Sequence, residues 1–533
     1  DGNITESFYD MAGRRTELRH PDNGITKFTY DNASNLIAKE TANLLAENNA
    51  EKIEYFYTFN RLDSIVYPKY PHNNVHFFYG QAQDASAVDD FSVGRLWYQI
   101  DATGVQQFKY GRLGEVRYNL RSVAVPGDKA YWFKTEWEYD TWNRVKKIIY
   151  PDEEEVSYFY NRGGELHAIT SKKQEQQNED IISQLGYDKF GQRTYLRYGN
   201  GTETEYSYEA ERRRLQNMTA KSNTTYGSSV NRTFINNNDS YDILSNVLSV
   251  ENTAALPTTG QIGGSVLYEY GYDDLNRLET ADAIFTGRNS TDNGYEQQKY
   301  SLLMEYDNLH NIVSKEQLHQ KAPGQTGGIF TDIPLTTYKL DYSYDVNDKP
   351  HAPRTLVDKP YANSTGNDIK TKTYNYDANG NMISLTQKTG DSNIVEKLRT
   401  NLWDEENRLR AVDITPDAEG VRPIAIYTYD AGGERILKHS NTSVSIYLNG
   451  KKVADTIQVD ATLYPSGMTV FRPSFGGEGG GAYTKHYFAG TQRVSSKIGT
   501  TENLGDFLYD WYTQGTGGPV DVIGSSFGVL ENA

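Results

Sequence analysis

The dipeptide Tyr-Asp recurs along this chain at a spacing that only a repeat architecture explains. It stands at Tyr9, Tyr30, Tyr139, Tyr187, Tyr241, Tyr272, Tyr306, Tyr344, Tyr376 and Tyr429, with Trp403-Asp404 as an aromatic variant and looser copies starting at Phe56, Tyr110, Tyr160 and Tyr208. Three intervals equal 21 residues, and later ones stretch to between 26 and 38, so insertions accumulate in the second half. Periods of this size mean stacked supersecondary units rather than one folded-over globule.

Each part of the unit has a physical reading. Tyr closes a strand, and the Asp carboxylate accepts a hydrogen bond from the backbone two residues on, which starts a turn. The fourth residue after the aromatic is Gly at 13, 114, 164, 191, 380 and 433, Asn at 60, 143, 276 and 407, His at 310 and Asp at 348. These types tolerate positive φ, as a type I turn followed by a left-handed residue at a G1 bulge requires. Ser34, Arg212 and Ser245 are the misfits. A second turn falls midway, as in Pro21-Asp22-Asn23-Gly24 and Gly199-Asn200-Gly201, and the segments between alternate like half-buried strands. One face of Thr202–Tyr208 reads Thr, Thr, Tyr, Tyr and the other Glu, Glu, Ser. Each unit is therefore a hairpin, marginal alone. Many in sequence predict an all-β chain: one long antiparallel sheet, with tyrosines laddered across strands, wound so that its edges are protected. Gln174–Leu185 reads as a short helix or loop; Gln81–Val88, Lys221–Val230, Thr253–Gly264, Lys321–Gly328 and Gly476–Gly481 read as loops.

Composition argues against one large dry core. Hydrophobic residues make up 37% and mean hydropathy is −0.72, little apolar material for a solid globule of 533 residues, while 13% aromatic residues argue against disorder. The net charge of −17 disfavours nucleic acid and anionic membranes as partners. Absent cysteine excludes disulfides, thiolate metal sites and thiol nucleophiles, without fixing the compartment. No stretch approaches the ~18 apolar residues of a membrane span. The start at Asp1-Gly2-Asn3 reads as a piece of something longer.

Tyr187-Asp188-Lys189-Phe190-Gly191-Gln192-Arg193 resembles the YD repeat of RHS proteins, and the resemblance runs from Asp1 to Arg435. Lys485-His486-Tyr487-Phe488-Ala489-Gly490-Thr491-Gln492-Arg493 is similar to the stretch entering that family's core region. The resemblance implies a β-shell over 1–435, a β-rich continuation over 436–498, and an irregular segment over 499–533. It further implies a hollow, secreted, non-enzymatic shell (a β-cocoon) that encloses a C-terminal toxin polypeptide. Such polymorphic-toxin effectors are served by a secretion or injection apparatus, of type VI or another contractile kind, or belong to insecticidal toxin complexes. The alternative is a teneurin-like adhesin or carbohydrate-binding repeat protein. The family's self-cleavage motif contains Asp-Pro, a dipeptide absent here, so no cleavage residue carries over.

Other motifs have plainer explanations. Gly524-Ser525-Ser526-Phe527-Gly528 fits a nucleophile elbow, but no His follows it. His72 and His76, four apart in a β context, would lie about 13 Å from each other and make a poor metal pair. The periodic Asp residues do not form a unique catalytic pair, and Asp377–Asn381 has its glycine two positions early for a calcium loop. The run Gly476–Gly481 lacks the strand-to-helix setting of a nucleotide fingerprint. The sequence therefore points to no catalytic, cofactor-binding or metal-binding residue.

Overall fold

The computed structural model describes residues 3–501 except 48–50, 127, 174–176, 223–231, 259–262, 290–293, 361–367, 393, 415–422, 449–450 and 474–480. These residues form one sheet of 37 strands, antiparallel between sequence neighbours. The two-residue strand Thr331–Asp332 is the exception to simple succession, since Ile312–Pro323 pairs both with it and with Tyr338–Tyr344. Among the described residues the α-helices are Ala42–Ala46 and Ala85–Asp89, with 3₁₀ turns at Pro71–Asn73 and Pro334–Thr336. The fold is the all-β wound sheet that the repeat predicts.

The Tyr-Asp turn has the expected geometry. In the first unit Gly13 N–H donates to Asp10 O (3.0 Å) and Asp10 N–H to Arg14 O (2.9 Å), with Gly13 at φ 77° and a register shift between Phe8 and Tyr9. The Asp10 carboxylate clamps the loop by accepting from Ala12 N–H and Arg14 N–H at 2.9 and 3.0 Å. Positive φ falls on the fourth residue in all the units except two, including the misfits Ser34 and Ser245. In those two the left-handed residue comes one position later, at Arg213 instead of Arg212 and Lys349 instead of Asp348. The copy at Phe56 is a different turn: Phe59 and Asn60 both have positive φ, a two-residue type I′ loop between Thr58 and Arg61.

Between hairpins the pairing stops short of this turn. Arg15–His20 pairs with Gly24–Tyr30 only from Glu17↔Lys27 to His20↔Gly24, which leaves the Arg15 carbonyl without a ladder partner. The Tyr30 hydroxyl donates to it at 3.0 Å. Tyr160 does the same to Val145 O, Tyr208 to Arg193 O, Tyr306 to Leu278 O and Tyr429 to Leu409 O, each at 2.8 Å, and Trp403 Nε1 substitutes on Met382 O at 2.9 Å. The arginine of the preceding turn lies over the same ring, Arg144 on Tyr160 at 4.2 Å and Arg277 on Tyr306 at 4.5 Å. At the repeat tyrosines the expected ladder is replaced by tyrosine–carbonyl and tyrosine–arginine contacts, whereas tyrosines elsewhere do pair across the sheet, Tyr268 with Tyr300 at 6.4 Å between ring centroids.

Gln174–Leu185, expected as helix or loop, is largely strand: Glu179–Tyr187 pairs with Arg193–Tyr198. Its alternation is masked by a register shift between Ile182 and Gln184. Of the expected loops, Lys321–Pro323 belong to a strand, Gly264 opens one, and most of Lys221–Val230 lies outside the described residues. Beyond Gly433 the sheet continues without interruption in type to Gln492–Thr501.

A Cβ at Gly191 would meet nothing within 4 Å, so only its φ of 77° restricts this position. Gly191→Val is expected to cost about 1–2 kcal/mol and Gly191→Asn a few tenths at most, as read from urea midpoints; equal effects would refute the turn's conformational requirement.

Candidate functional site

The sheet meets itself after one full winding, and the functional geometry lies along that seam. Bonds across it that use a backbone atom join residues 327 to 336 apart. Lys349 Nζ donates to Asp22 O at 2.6 Å, and Asn43 N–H to Asn379 Oδ1 at 2.8 Å. Glu405 Oε1 accepts from both Lys69 N–H and Tyr70 N–H, at 2.7 and 2.9 Å. Asp101 Oδ2 accepts from Ala431 N–H at 2.9 Å. In each case a Tyr-Asp turn of the second winding sits on a midway turn of the first. Side-chain oxygens there supply acceptors to backbone N–H groups that no strand pairs.

Three small clusters of buried apolar side chains replace a single core, and each crosses the seam. One joins Val123 and Phe133 to Leu463 and Phe471, another joins Ile148 and Val156 to Tyr487 and Ala489, and the third packs Ile53 and Tyr67 near Ala431.

Charged groups are buried along the same line. Arg121 meets Asp430 at 2.9 Å, both 8% exposed. Lys485, 1% exposed, contacts Asp152 Oδ2 at 2.7 Å and the Glu154 carboxylate; Lys173 reaches Asp152 at 3.0 Å, Lys497 reaches Glu154 at 3.4 Å, and the Tyr487 hydroxyl donates to Glu154 at 2.9 Å. Burial pushes both carboxyls up, but Lys485, joined by Lys173 at Asp152 and by Lys497 and Tyr487 at Glu154, holds them below their ordinary values. Burial and Glu154 push the Tyr487 hydroxyl up, so it stays a neutral donor. Lys485 and Tyr487 belong to the stretch that the sequence marks as entering a core region; their partners 333 residues away carried no signal. Glu405 has its pKa raised, with burial as the main cause.

His72 and His76 are not brought together as a metal pair. His72 is the middle residue of a 3₁₀ turn, Pro71–Asn73, and meets Arg410 Nη2 through Nε2 at 2.5 Å, beside a Tyr70 ring that Arg410 also covers at 4.0 Å; His76 is exposed in the next strand. Burial, and then Arg410, bring the His72 pKa down to about 4. Asp377 is a turn clamp: Oδ1 accepts from Asn381 N–H, and Oδ2 from the amides of Asn381 and, across the seam, Asn43. Among the described residues no group of three or more His, Asp or Glu is placed to hold a metal ion. Gly524–Gly528 and most of the run Gly476–Gly481 lie outside the described residues.

With this geometry in hand, the relatives are informative. No protein-family model matches the chain. Toxin subunit YenC2 of Yersinia entomophaga is 24% identical over 302 residues, 53% of this chain and 27% of that protein. The crystal structure of TcdB2-TccC3-TEV superposes with a TM-score of 0.67 at 18% identity, over 91% of this chain and 22% of that one. The Photorhabdus luminescens Tc holotoxin pore gives a TM-score of 0.63 at 17% identity, over 92% and 22%. The chain thus spans about a quarter of the length of the proteins it matches, and the fold is that of the Tc toxin shell.

Lys485→Met leaves two buried carboxylates undercompensated and should cost about 3–5 kcal/mol, whereas adding Asp152→Asn and Glu154→Gln should recover much of it. An equal loss in the single and triple variants, by urea unfolding, would contradict the charge assignment. Acid should weaken the seam in two stages. His72, folded at about 4 against an ordinary 6.5, contributes stability fully present above 6.5 and lost as pH falls toward 4. Asp152 and Glu154 contribute stability present above their ordinary 3.8 and 4.5 and lost as pH falls through their lower folded values. Limited proteolysis across this pH range reads both stages, and His72→Gln should reduce the first, to which His439 and His486, also lowered by burial, contribute the rest.

Proposed function

We propose that this chain, an RHS-repeat protein by its repeat and its shell fold, is a non-enzymatic wall segment of a secreted chamber that encloses a toxin polypeptide. The observation that carries this reading is the winding: a single-layered sheet returns to itself after about 330 residues and is sealed there. Roughly two dozen strands at ~4.8 Å spacing give a circumference of about 115 Å and, if round, a diameter of about 37 Å. Side chains from the wall leave an interior on the order of 25 Å across. Enclosure needs no catalytic group.

The relatives are toxin subunits, which favours a Tc-type complex as the delivery partner over a type VI or contractile injection apparatus. The cargo would be a polypeptide that follows the shell in the full gene product, kept from solvent and proteases until release, outside the producing cell. The relatives are toxin proteins, which ranks the adhesin or carbohydrate-binding alternative second.

The test is intact-mass spectrometry of the full-length gene product, purified natively and then denatured, alongside proteolysis of the native form. A protease-protected interior segment, released as a separate fragment on denaturation or remaining covalently joined, supports enclosure. A chain without any protected segment overturns it and leaves the adhesin.

A further inference from the structure

The ionic cluster around Lys485 holds more than an ion pair needs. Lys485 stands in the middle of strand Gly481–Ala489, paired with Thr469 on one side and Lys497 on the other, and Asp152 sits in the turn just before strand Glu154–Tyr160. The side chains of Lys485, Asp152 and Glu154 are 2%, 4% and 1% exposed. Aromatic rings flank the ammonium, Tyr483 at 5.2 Å and Tyr150 at 5.8 Å from Nζ, and Ile148, Val156 and Tyr487 belong to the same buried cluster as Tyr150. A buried ion pair is costly to desolvate and contributes little net stability. Here an amine and two carboxyl groups are nevertheless held in contact, at the meeting of two windings and away from water.

An amide-forming condensation requires this arrangement. An amine 2.7 Å from Asp152 Oδ2 stands about 3.5 Å from the carboxyl carbon at an ordinary hydrogen-bond angle, which is a near-attack separation. Asp152 Oδ2 also accepts from Lys173 at 3.0 Å, a contact that stabilises negative charge on that oxygen. Buried Oδ1 has no hydrogen-bond partner among the described residues, so no bond holds it back as a leaving group. Glu154 touches Nζ and is oriented by the Tyr487 hydroxyl at 2.9 Å and Lys497 at 3.4 Å, the placement of a proton carrier. In water, ionisation of the free amine and acid favours hydrolysis of an amide. In a site this dry ionisation is penalised, and condensation removes two buried charges while releasing a water.

We propose that Lys485 and Asp152 become joined by an isopeptide bond that ties the two windings covalently. A proton passes from the Lys485 ammonium through Glu154 to Asp152 Oδ1, giving a neutral amine and a neutral acid. The Nζ lone pair forms a bond to Cγ while the carbonyl π pair moves onto Oδ2, beside Lys173. Nζ gives a second proton to Glu154, which passes it to the Oδ1 hydroxyl. The C–Oδ1 bond then breaks with its electron pair as water leaves, and the Oδ2 pair restores the carbonyl. Two ammonium protons and one carboxylate oxygen depart as water, one positive and one negative charge cancel, and nothing is oxidised. The neutral pair is a minor population in a cluster held ionised, so the reaction is slow, but it need happen only once per molecule. The bond fixes residues 333 apart at one place on the seam and leaves the joint around His72 and Glu405 unchanged. Variants without Lys485 lack the bond as well as the charge, so comparing the single with the triple variant still reads charge alone. Once the bond has formed, Glu154 alone carries the lower acid stage. The proposal is independent of what the shell encloses.

The test is mass spectrometry of the intact purified chain after complete denaturation, followed by proteolytic peptide mapping. The wild type is expected to be lighter than its sequence by one water and to yield a branched peptide, with fragmentation placing the amide between the Lys485 and Asp152 side chains. Glu154→Gln, which keeps the side chain's shape but cannot carry the proton, should retain its full sequence mass while near-ultraviolet circular dichroism shows it folded. The wild-type measurement stands whether or not that variant folds. A wild-type chain at its full sequence mass, a water loss without the branched peptide, a branch at Glu154 instead of Asp152, or a branch that forms equally in Glu154→Gln would each overturn the assignment.

Discussion

The hydroxyl of the repeat tyrosine donating to a carbonyl of the previous hairpin is the contact on which the sheet depends. Within each hairpin the two strands pair down to the Asp turn, but neighbouring hairpins stop pairing residues earlier, as between Lys147↔Ser157 and the unpaired Val145 and Tyr160. Without the Tyr160 hydroxyl, the Val145 carbonyl would face a gap too narrow for free hydration and too wide for a ladder bond. The hydroxyl spans that gap and the Arg144 guanidinium fills it from the side. The wedge then repeats at the same edge in unit after unit, so the hairpins fan in one direction. Accumulated fanning, added to ordinary strand twist, closes the sheet on itself.

Closure gives the same turn two different duties. In the second winding, the residues just after the repeat Asp include Asn379, Glu405 and Ala431; the first two accept from backbone N–H groups of the first winding, and the Ala431 N–H donates to the Asp101 carboxylate there. At the equivalent turns of the first winding stand Met11, Leu113, Trp142 and Phe190, all exposed. The scaffold positions, Tyr, Asp and the left-handed residue, stay alike because the wedge demands them everywhere. The tip positions vary because only some tips meet another winding. Glu405, accepting from two adjacent N–H groups, shows what a tip must supply when it does.

Most of the wall could be read from sequence because its determinants are local. An Asp two residues before an N–H, and a Gly or Asn four after a Tyr, report a turn within one short window. The departures are also local in origin: the type I′ loop at Phe59-Asn60, the one-residue displacement to Arg213 and Lys349, and the register shift that hid the strand Glu179–Tyr187. The tyrosine's partner was misassigned because alternation says which face a side chain takes and not how far apart successive hairpins lie. The seam was invisible for a different reason. Lys485 finds Asp152 and Glu154 only after 333 and 331 residues of repeats with unequal insertions, and no pattern in a single sequence encodes that distance.

The division between local turns and a distant seam explains how so hydrophilic a chain can hold a large open structure. A hairpin array draws its stability from nearest neighbours, so the wall needs no filling. Apolar burial concentrates where Val123, Val156 and Phe471 lie at the meeting of windings. The contacts there include ionisable groups, His72 on Arg410 and Lys485 between two carboxylates, whereas the repeat's own staples use hydroxyls, carbonyls and guanidinium groups that do not titrate near neutrality. The turn carboxylates are themselves held well ionised, Asp10 by the Arg14 backbone N–H and Asp140 by the Arg144 side chain. A change of proton concentration therefore acts on the joint between windings before it acts on the hairpins. The sheet can part along one line while each hairpin stays folded, a separation of stabilities that a solid globule with one shared core does not have.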